Sequence, residues 1–196
     1  HDKAVLIMHT DPSDPYGQPL EHLLSHFGLH QGQVRLSKEK VGLDYLAKMY
    51  NIADCTINIS DAEGFGLATL ESLSCGTPII VTMTGGLKEQ VTDGKNWFGI
   101  GIEPSSKALI GSQQVPYIYE DRISEKDFMD AVTKIYEMKK GERKSLGQAG
   151  RQHVLDNYNF ETFKNRWVDL MDDLHERHGS WDSRKNYSPW TLNKVN

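Results

Sequence analysis

Two glutamates, Glu63 and Glu71, stand eight positions apart around a Gly-Phe-Gly turn. Carboxylates accept hydrogen bonds from sugar hydroxyls, and each such charge-assisted bond contributes about 1.5–3 kcal/mol. The two glycines let a ligand approach backbone N–H groups closely. The helix predicted to begin near Gly66 would direct its positive N-terminal end to the same place. The combination indicates a site for a sugar and a ribose on either side of a diphosphate.

A second glycine turn repeats this pattern further along the chain. Gly85 and Gly86 follow a predicted strand, and Glu89 stands in the first turn of the short helix predicted after them. These glycines offer another backbone approach to an anion. Three simpler explanations are left open: the first glutamate caps the following helix, the second is a solvated helix residue, and the glycines only form a tight turn.

The elements that must position these residues follow from the hydrophobic pattern. Short apolar runs alternate with amphipathic stretches, and strands are predicted at residues 4–9, 34–36, 55–60, 78–83 and 98–102. The first of these strands is expected to be fully buried. The alternation predicts an α/β fold, a Rossmann-like, doubly wound parallel sheet covered on both faces. Ligands bind at the carboxyl ends of such strands, where Glu63 and the Gly-Phe-Gly turn fall.

The remainder of the chain has a different pattern. Residues 103–123 lose the alternation and are predicted to form a long loop. Three helices are predicted after it, and Trp167 lies on the apolar stripe of the third, where we expect it in the core. The tail from residue 175 is polar but carries Trp181, Tyr187 and Trp190, so we expect it to pack on another part of the protein.

Composition excludes several classes of protein. There are 22 Lys+Arg against 27 Asp+Glu, a net charge of −5, and no basic stripe, which argues against nucleic-acid binding. The longest apolar run has five residues, far too few to span a membrane. Cys55 and Cys75 form no Cys-x-x-Cys pair and are typical of a reduced, intracellular protein. No metal-ligand spacing is present.

The stretch around Glu63 resembles the Glu-x7-Glu signature of retaining GT-B glycosyltransferases, in the large family 4 group. The residues that carry the resemblance are Ala53-Asp54, Ser60, Glu-Gly-Phe-Gly-Leu from Glu63, Leu70-Glu71, Cys-Gly-Thr-Pro-Ile-Ile from Cys75, Gly-Gly-Leu-x-Glu from Gly85 and Val-Thr-Asp-Gly from Val91. The similarity is close over residues 4–94 and loose over the helical tail. It implies the C-terminal, nucleotide-sugar-binding half of a GT-B fold.

The resemblance implies roles for individual residues. Glu63 would contact the donor sugar beside the reacting carbon as the catalytic carboxylate, and Glu71 would hold the ribose hydroxyls. The amides of Phe65, Gly66 and Leu67 would meet the sugar and the diphosphate. The other expected donor-binding residues are Ser60, Gly64, Gly85, Gly86, Glu89 and, against the base, Val34 and Leu36.

The activity implied is retaining transfer of a hexose from a nucleoside diphosphate sugar to a glycan, lipid or protein acceptor. No metal and no cofactor are expected, and from the use of cysteine we expect a cytoplasmic protein. The turn at residues 10–17 is similar to mannosyltransferase-like members and favours GDP-mannose. Two alternatives are left open: a non-catalytic nucleotide-sugar-binding module, and a related GT-B sugar-nucleotide epimerase.

The predicted organisation is a donor-binding domain over residues 1–123 that lacks its first strand, followed by C-terminal helices and a tail over residues 124–196. We expect these helices to pack on that domain and on an N-terminal domain absent from this chain. The chain starts at His1 within a few residues of a strand, so we interpret it as part of a longer protein. The acceptor domain, any peripheral membrane contact through it, and the family's leaving-group Arg and Lys would lie outside it. On its own, we expect this piece to be unstable, to bind donor poorly and to transfer nothing.

Overall fold

The computed structural model describes residues 4–15 and 17–186. The chain divides into two compact units between Leu46 and Ala47. The elements are β1 (Leu6–His9), α1 (Leu20–His26), β2 (Val34–Ser37), α2 (Leu43–Ile52), β3 (Thr56–Asn58), α3 (Leu67–Ser74), β4 (Ile79–Thr82), α4 (Leu87–Val91), β5 (Ile100–Ile102), β6 (Ser106–Leu109), β7 (Tyr119–Arg122), α5 (Glu125–Glu137), α6 (Lys140–Asn157) and α7 (Phe160–His178).

The first unit contains a parallel pair of strands, in which Leu6 of β1 lies opposite Val34 of β2. Helix α1 connects them, and Gly28 at φ +65° follows its C-terminal end. The prediction that residues 4–9 form a fully buried strand is wrong: Val5, Leu6 and Ile7 are 51%, 47% and 44% exposed. Among the described strands, β1 has β2 as its one hydrogen-bonded neighbour, so its apolar side chains lack the cover that a central strand receives.

The second unit is built on a three-stranded parallel sheet in the order β3-β4-β5. Successive side chains of a strand point to opposite faces, and β4 is buried on both. Ile79 and Val81 pack with α3, α4 and α6, whereas Ile80 packs with β5 and α5. The predicted α/β fold, with a parallel sheet covered on both faces, is confirmed for this unit. The domain boundary at residue 123 stays a prediction.

Helix α6 lies very close to the C-terminal end of α3. A Cβ atom added at Gly147 would lie 1.9 Å from the carbonyl oxygen of Gly76, and one at Gly150 would lie 2.6 Å from Cδ2 of Leu73. The guanidinium of Arg151 also donates to the carbonyl of Ser74. Glycine is therefore required at both α6 positions for the two helices to approach at this distance.

Residues 103–123 do not form the predicted loop. They contain an antiparallel hairpin, β6–β7, in which Ser106 lies opposite Arg122 and Leu109 opposite Tyr119. The prediction failed because β7 reads Tyr-Glu-Asp-Arg, which has no apolar alternation to indicate a strand.

Helices α5 and α7 begin at side-chain caps. The Ser124 hydroxyl accepts from the amide of Asp127 at 3.0 Å, and the Asn159 side chain accepts from the amide of Thr162 at 2.8 Å. The prediction that Trp167 lies in the core is wrong: it is 49% exposed, because no element of the described chain covers the apolar stripe of α7.

In the tail, the ring of Trp181 is 82% exposed and stacks under the guanidinium of Arg184. Tyr187 and Trp190 lie outside the described residues. Within residues 4–15 and 17–186, no helix is long and apolar enough to cross a membrane.

Candidate functional site

Glu63 lies in the connection between β3 and α3, which we call the Glu63 loop (residues 59–66). The N-cap of α3 is Gly66 at φ +87°, and no side chain caps this helix. Glu63 is half-buried, and none of the described residues donates a hydrogen bond to its carboxylate. The carboxylate therefore does not serve as a helix cap, which removes the simpler explanation and leaves it available to a ligand.

Two carbonyl groups of the Glu63 loop are hydrogen-bonded to the neighbouring connection between β4 and α4. The amide of Gly86 donates to the carbonyl oxygen of Gly64 at 3.1 Å. The side-chain amide of Gln90 donates to the carbonyl oxygen of Phe65 at 2.5 Å. Both carbonyls therefore point toward the β4–α4 turn (residues 83–86) and the helix that follows it.

The preceding carbonyl, that of Glu63, faces the same turn. A Cβ atom added at Gly85 would lie 1.6 Å from this oxygen, so only glycine fits there, and its φ of +48° also favours glycine. In a trans peptide the N–H points away from the C=O, and no peptide bond in the described chain is cis. The amides that follow these three carbonyls, those of Gly64, Phe65 and Gly66, must therefore point away from the turn.

Consecutive amides pointing one way, beside the start of a helix, form a concave site suited to an anion. Within the described residues, the amides of Phe65, Gly66 and Leu67 donate to no other group. The side chains of Phe65 and Leu67 are exposed on the same stretch. Contact of these three amides with a diphosphate stays a prediction, as does direct contact of Gly85 and Gly86 with a ligand. What the structure shows for these two glycines is that they hold the Glu63 loop.

Glu71 lies one turn into α3 and is half-buried. The phenolic hydroxyl of Tyr50, near the end of α2, donates to Oε2 of Glu71 at 2.8 Å. Burial, and then the hydrogen bond to this carboxylate, raise the pKa of Tyr50, so the tyrosine remains a donor at any ordinary pH. One carboxylate oxygen is thus fixed by the protein and the other is left for a hydroxyl of a ligand.

A small polar network joins the end of β3 to the start of α3. The hydroxyl of Ser60 donates to Oδ1 of Asn58 at 2.7 Å, and Nδ2 of Asn58 donates to the hydroxyl of Thr69 at 3.2 Å. Ser60, predicted to bind the donor, therefore supports the loop through its proton, and its donor contact stays a prediction. Asn58 and Thr69 were not identified from the sequence.

The β6–β7 hairpin holds the Glu63 loop from a second side. The amide of Asp121 donates to the carbonyl of Asp61 at 2.8 Å, and Nη1 of Arg122 lies 3.0 Å from the Asp61 carboxylate. Arg122 also contacts Glu120 through Nη2 at 2.9 Å. No sequence pattern indicates this contact, because residues 103–123 show no alternation that would predict the hairpin.

Glu89 is exposed on α4, and its main chain contacts α6. Its carbonyl accepts from Nε2 of His153 at 3.1 Å and from the hydroxyl of Tyr158 at 3.2 Å. Burial, followed by the charge of Glu89, raises the pKa of Tyr158. The Tyr158 ring meets the Phe65 ring edge-on at 6.4 Å, so the end of α6 reaches the Glu63 loop. A donor contact by the Glu89 carboxylate stays a prediction.

Val34 and Leu36 lie on β2 of the first unit, with Val34 half-buried. At the end of the neighbouring strand, Nδ1 of His9 and the hydroxyl of Ser37 are 3.0 Å apart. Contact of Val34 and Leu36 with a nucleotide base stays a prediction.

Comparison of the sequence with known proteins points to glycosyltransferases throughout. The sequence profile of the family described as glycosyl transferases group 1 matches residues 18–153. A D-inositol 3-phosphate glycosyltransferase from Paenarthrobacter aurescens is 36% identical over 90 residues, which are 45% of this chain and 22% of the relative. One from Streptosporangium roseum is 49% identical over 71 residues, 36% of this chain and 16% of the relative.

Solved structures show the fold. Sucrose-phosphate synthase from Thermosynechococcus elongatus superposes with a TM-score of 0.66 at 23% identity, covering 89% of this chain and 39% of that one. Anabaena HepE, in complex with UDP and glucose, gives 0.64 at 16% identity, covering 87% and 41%. The chain therefore covers only part of each of these structures. Its alignments with the two D-inositol 3-phosphate glycosyltransferases span about a fifth of the length of those proteins or less.

Proposed function

Because the chain belongs to the glycosyl transferases group 1 family, we propose that it is the donor-binding part of a glycosyltransferase that moves a hexose from a nucleoside diphosphate sugar with retention of configuration. The observation that carries this proposal is the orientation of the Glu63 loop. Three carbonyls face the β4–α4 turn, so the three following amides point away from it, beside an unpaired carboxylate.

This geometry suits the charges that develop during transfer. As the bond between the anomeric carbon and the diphosphate breaks, negative charge grows on the diphosphate and positive charge on the sugar. The amides of Phe65 and Gly66 stabilise the first, and the Glu63 carboxylate stabilises the second. The new bond forms from the acceptor oxygen, whose proton leaves with the diphosphate. Fixed amides and a helix end supply the stabilisation, so the proposal requires no metal ion.

Glu71 accounts for the nucleoside side of the donor. Tyr50 fixes Oε2, and Oε1 accepts from a ribose hydroxyl in the proposed complex. We propose GDP-mannose as the donor, on the basis of the turn at residues 10–17. The name of the bacterial relatives makes D-inositol 3-phosphate the first acceptor to test.

The test uses the full-length protein. Thermal stabilisation by UDP, GDP and ADP identifies the base, since a ligand that binds only the folded state raises the melting temperature. Turnover of the matching nucleotide sugars with and without an acceptor then separates three functions. Transfer that depends on the acceptor supports the proposal, conversion without an acceptor indicates an epimerase, and binding without turnover indicates a non-catalytic module. If no nucleoside diphosphate binds, the proposal is wrong.

A further inference from the structure

Gln90 on α4 has an unusual environment for a side-chain amide. It is 1% exposed, and its Nε2 donates to the carbonyl of Phe65 at 2.5 Å. Its Oε1 is one of two buried side-chain oxygens in the described chain with no hydrogen-bond partner, the other being Oγ1 of Thr82. Oε1 lies 3.3 Å from the position that a Cβ atom on Gly66 would occupy. The side chain is therefore packed directly behind the Glu63 loop.

A buried carboxamide with an unpaired oxygen is a costly way to fill this space. An aliphatic side chain of similar volume would fill it without desolvating a polar group. The free energy lost by burying Oε1 without a partner is offset only by the hydrogen bond that Nε2 donates. An aliphatic side chain could not make this bond. What that bond determines is the direction of one carbonyl.

The direction of the Phe65 carbonyl determines the direction of the Gly66 amide, since both belong to one planar peptide. The neighbouring peptide is already held through the bond from Gly86 to the Gly64 carbonyl, and it does not depend on Gln90. Without a donor at Gln90, the Phe65 carbonyl, which lies against Gly86 in the β4–α4 turn, would lose its hydrogen-bond partner. Rotation of this peptide, next to a glycine, would then expose the carbonyl and turn the Gly66 amide inward.

We propose that Gln90 is a positioning residue, which holds the Phe65–Gly66 peptide so that the Gly66 amide faces the diphosphate of the donor. The rotated peptide would present a carbonyl oxygen to the diphosphate, where two partial negative charges oppose each other. This role rests on the proposed function, because it assumes that a diphosphate occupies the site. It deepens that function because it explains how Gln90, which does not touch the ligand, sets the orientation of the Gly66 amide that does.

Two variants remove the donor while filling the same space: Gln90→Leu and Gln90→Met. Thr82→Val is the matched control, since it removes the other buried oxygen that lacks a partner, on the adjacent strand. For each full-length protein we would measure the Kd of UDP, GDP or ADP, whichever the wild type binds, and the Kd of the corresponding nucleoside. The nucleoside has no diphosphate, so it reports the ribose and base contacts alone.

For both Gln90 variants we expect the Kd of the nucleoside diphosphate to rise about tenfold or more, the scale of one lost charge-assisted hydrogen bond. The Kd of the nucleoside should stay unchanged, and Thr82→Val should change neither. Equal losses for nucleoside and diphosphate would indicate general disruption and overturn the role, as would unchanged diphosphate binding or an equal loss in Thr82→Val. If the wild type binds no nucleoside diphosphate, the proposed function fails and this role fails with it.

Discussion

The hydroxyl of Tyr50 donates a 2.8 Å hydrogen bond to one oxygen of Glu71, which joins the end of α2 to the second turn of α3. The two residues are 21 positions apart, and both are partly buried. A carboxylate tethered at one oxygen has a restricted rotamer, so its free oxygen is presented in a fixed direction. This contact turns an ordinary helical glutamate into a preorganised acceptor.

Glu71→Ala is expected to weaken nucleoside diphosphate binding by about 1.5–3 kcal/mol, roughly 10- to 150-fold, because the ribose loses a charged acceptor. Tyr50→Phe keeps the carboxylate but frees its rotamer, so it should weaken binding by only about 0.5–1.5 kcal/mol. Tyr45→Phe, an exposed position on the same helix, is the control and should bind as the wild type does. Isothermal titration measures all three. Normal binding by Glu71→Ala would show that the ribose contact is wrongly assigned.

Glu63→Gln is expected to lower kcat about 100-fold or more, while the Kd of the nucleoside diphosphate changes little. The glutamine keeps the shape but not the charge that opposes the positive sugar in the transition state. Steady-state kinetics with the nucleotide sugar measures kcat, and titration with the nucleoside diphosphate measures Kd. Glu137→Gln, exposed on α5, should leave both quantities unchanged. Full kcat in Glu63→Gln would exclude a catalytic carboxylate at this position.

Gly85 and Gly94 allow backbone strain to be separated from steric contact. Both have positive φ, but a Cβ atom at Gly94 would meet nothing within 4 Å, whereas one at Gly85 would overlap the Glu63 carbonyl. Gly94→Ala should lower the free energy of unfolding by about 1–2 kcal/mol, the strain of an alanine in the left-handed region. Gly85→Ala should cost roughly 2–5 kcal/mol, with added overpacking, and should also weaken nucleotide binding by displacing the Glu63 loop. Denaturant unfolding and nucleotide titration provide the two readouts. Equal effects of the two substitutions would contradict the contact between the turn and the loop.

The free energy of unfolding is expected to fall as pH rises above about 9. Burial is the main cause that raises the pKa of Cys55 from its ordinary value of 9.0 to about 12. The folded state thus holds this proton more tightly than the unfolded state. The stability is fully present below pH 9 and is lost as pH rises through 12. Urea unfolding under reducing conditions measures the free energy of unfolding across pH 8–12. This free energy should decline less with pH in Cys55→Ser than in the wild type, because the serine hydroxyl does not titrate in that range. Identical declines would mean that Cys55 does not contribute.

The Glu63 loop could be predicted from the sequence because the residues that indicate it are close together in the chain. Glycines, a preceding apolar strand and a following helix are adjacent in the chain, and their carboxyl-edge placement follows from parallel topology. The partners that hold this loop were not predicted. Gln90 and Arg122 reach it from distant parts of the sequence, and neither belongs to a motif. The β6–β7 hairpin escaped prediction because its second strand is charged.

Trp167 illustrates a different limit. A stripe of apolar residues at helical spacing shows that one face of a helix favours burial, but it does not say what buries it. The prediction of a core position assumed a partner within the chain, and in the described residues α7 has none. The prediction that residues 4–9 form a fully buried strand is wrong for a related reason. Burial of a strand depends on the elements that flank it, and the apolar run does not specify them.

The close approach of α6 to α3 has a consequence for where this unit can be cut. Val154 of α6 packs on the face of the sheet that carries Ile79 and Val81, where Gly150 lies against Leu73 of α3, and Ala131 and Ile135 of α5 cover the face that carries Ile80. A truncation at residue 123 would uncover both hydrophobic clusters at once. The shortest fragment that retains the second unit as a folded body is therefore expected to extend through Asn157, because α5 and α6 of the C-terminal helical extension cover both faces of its sheet.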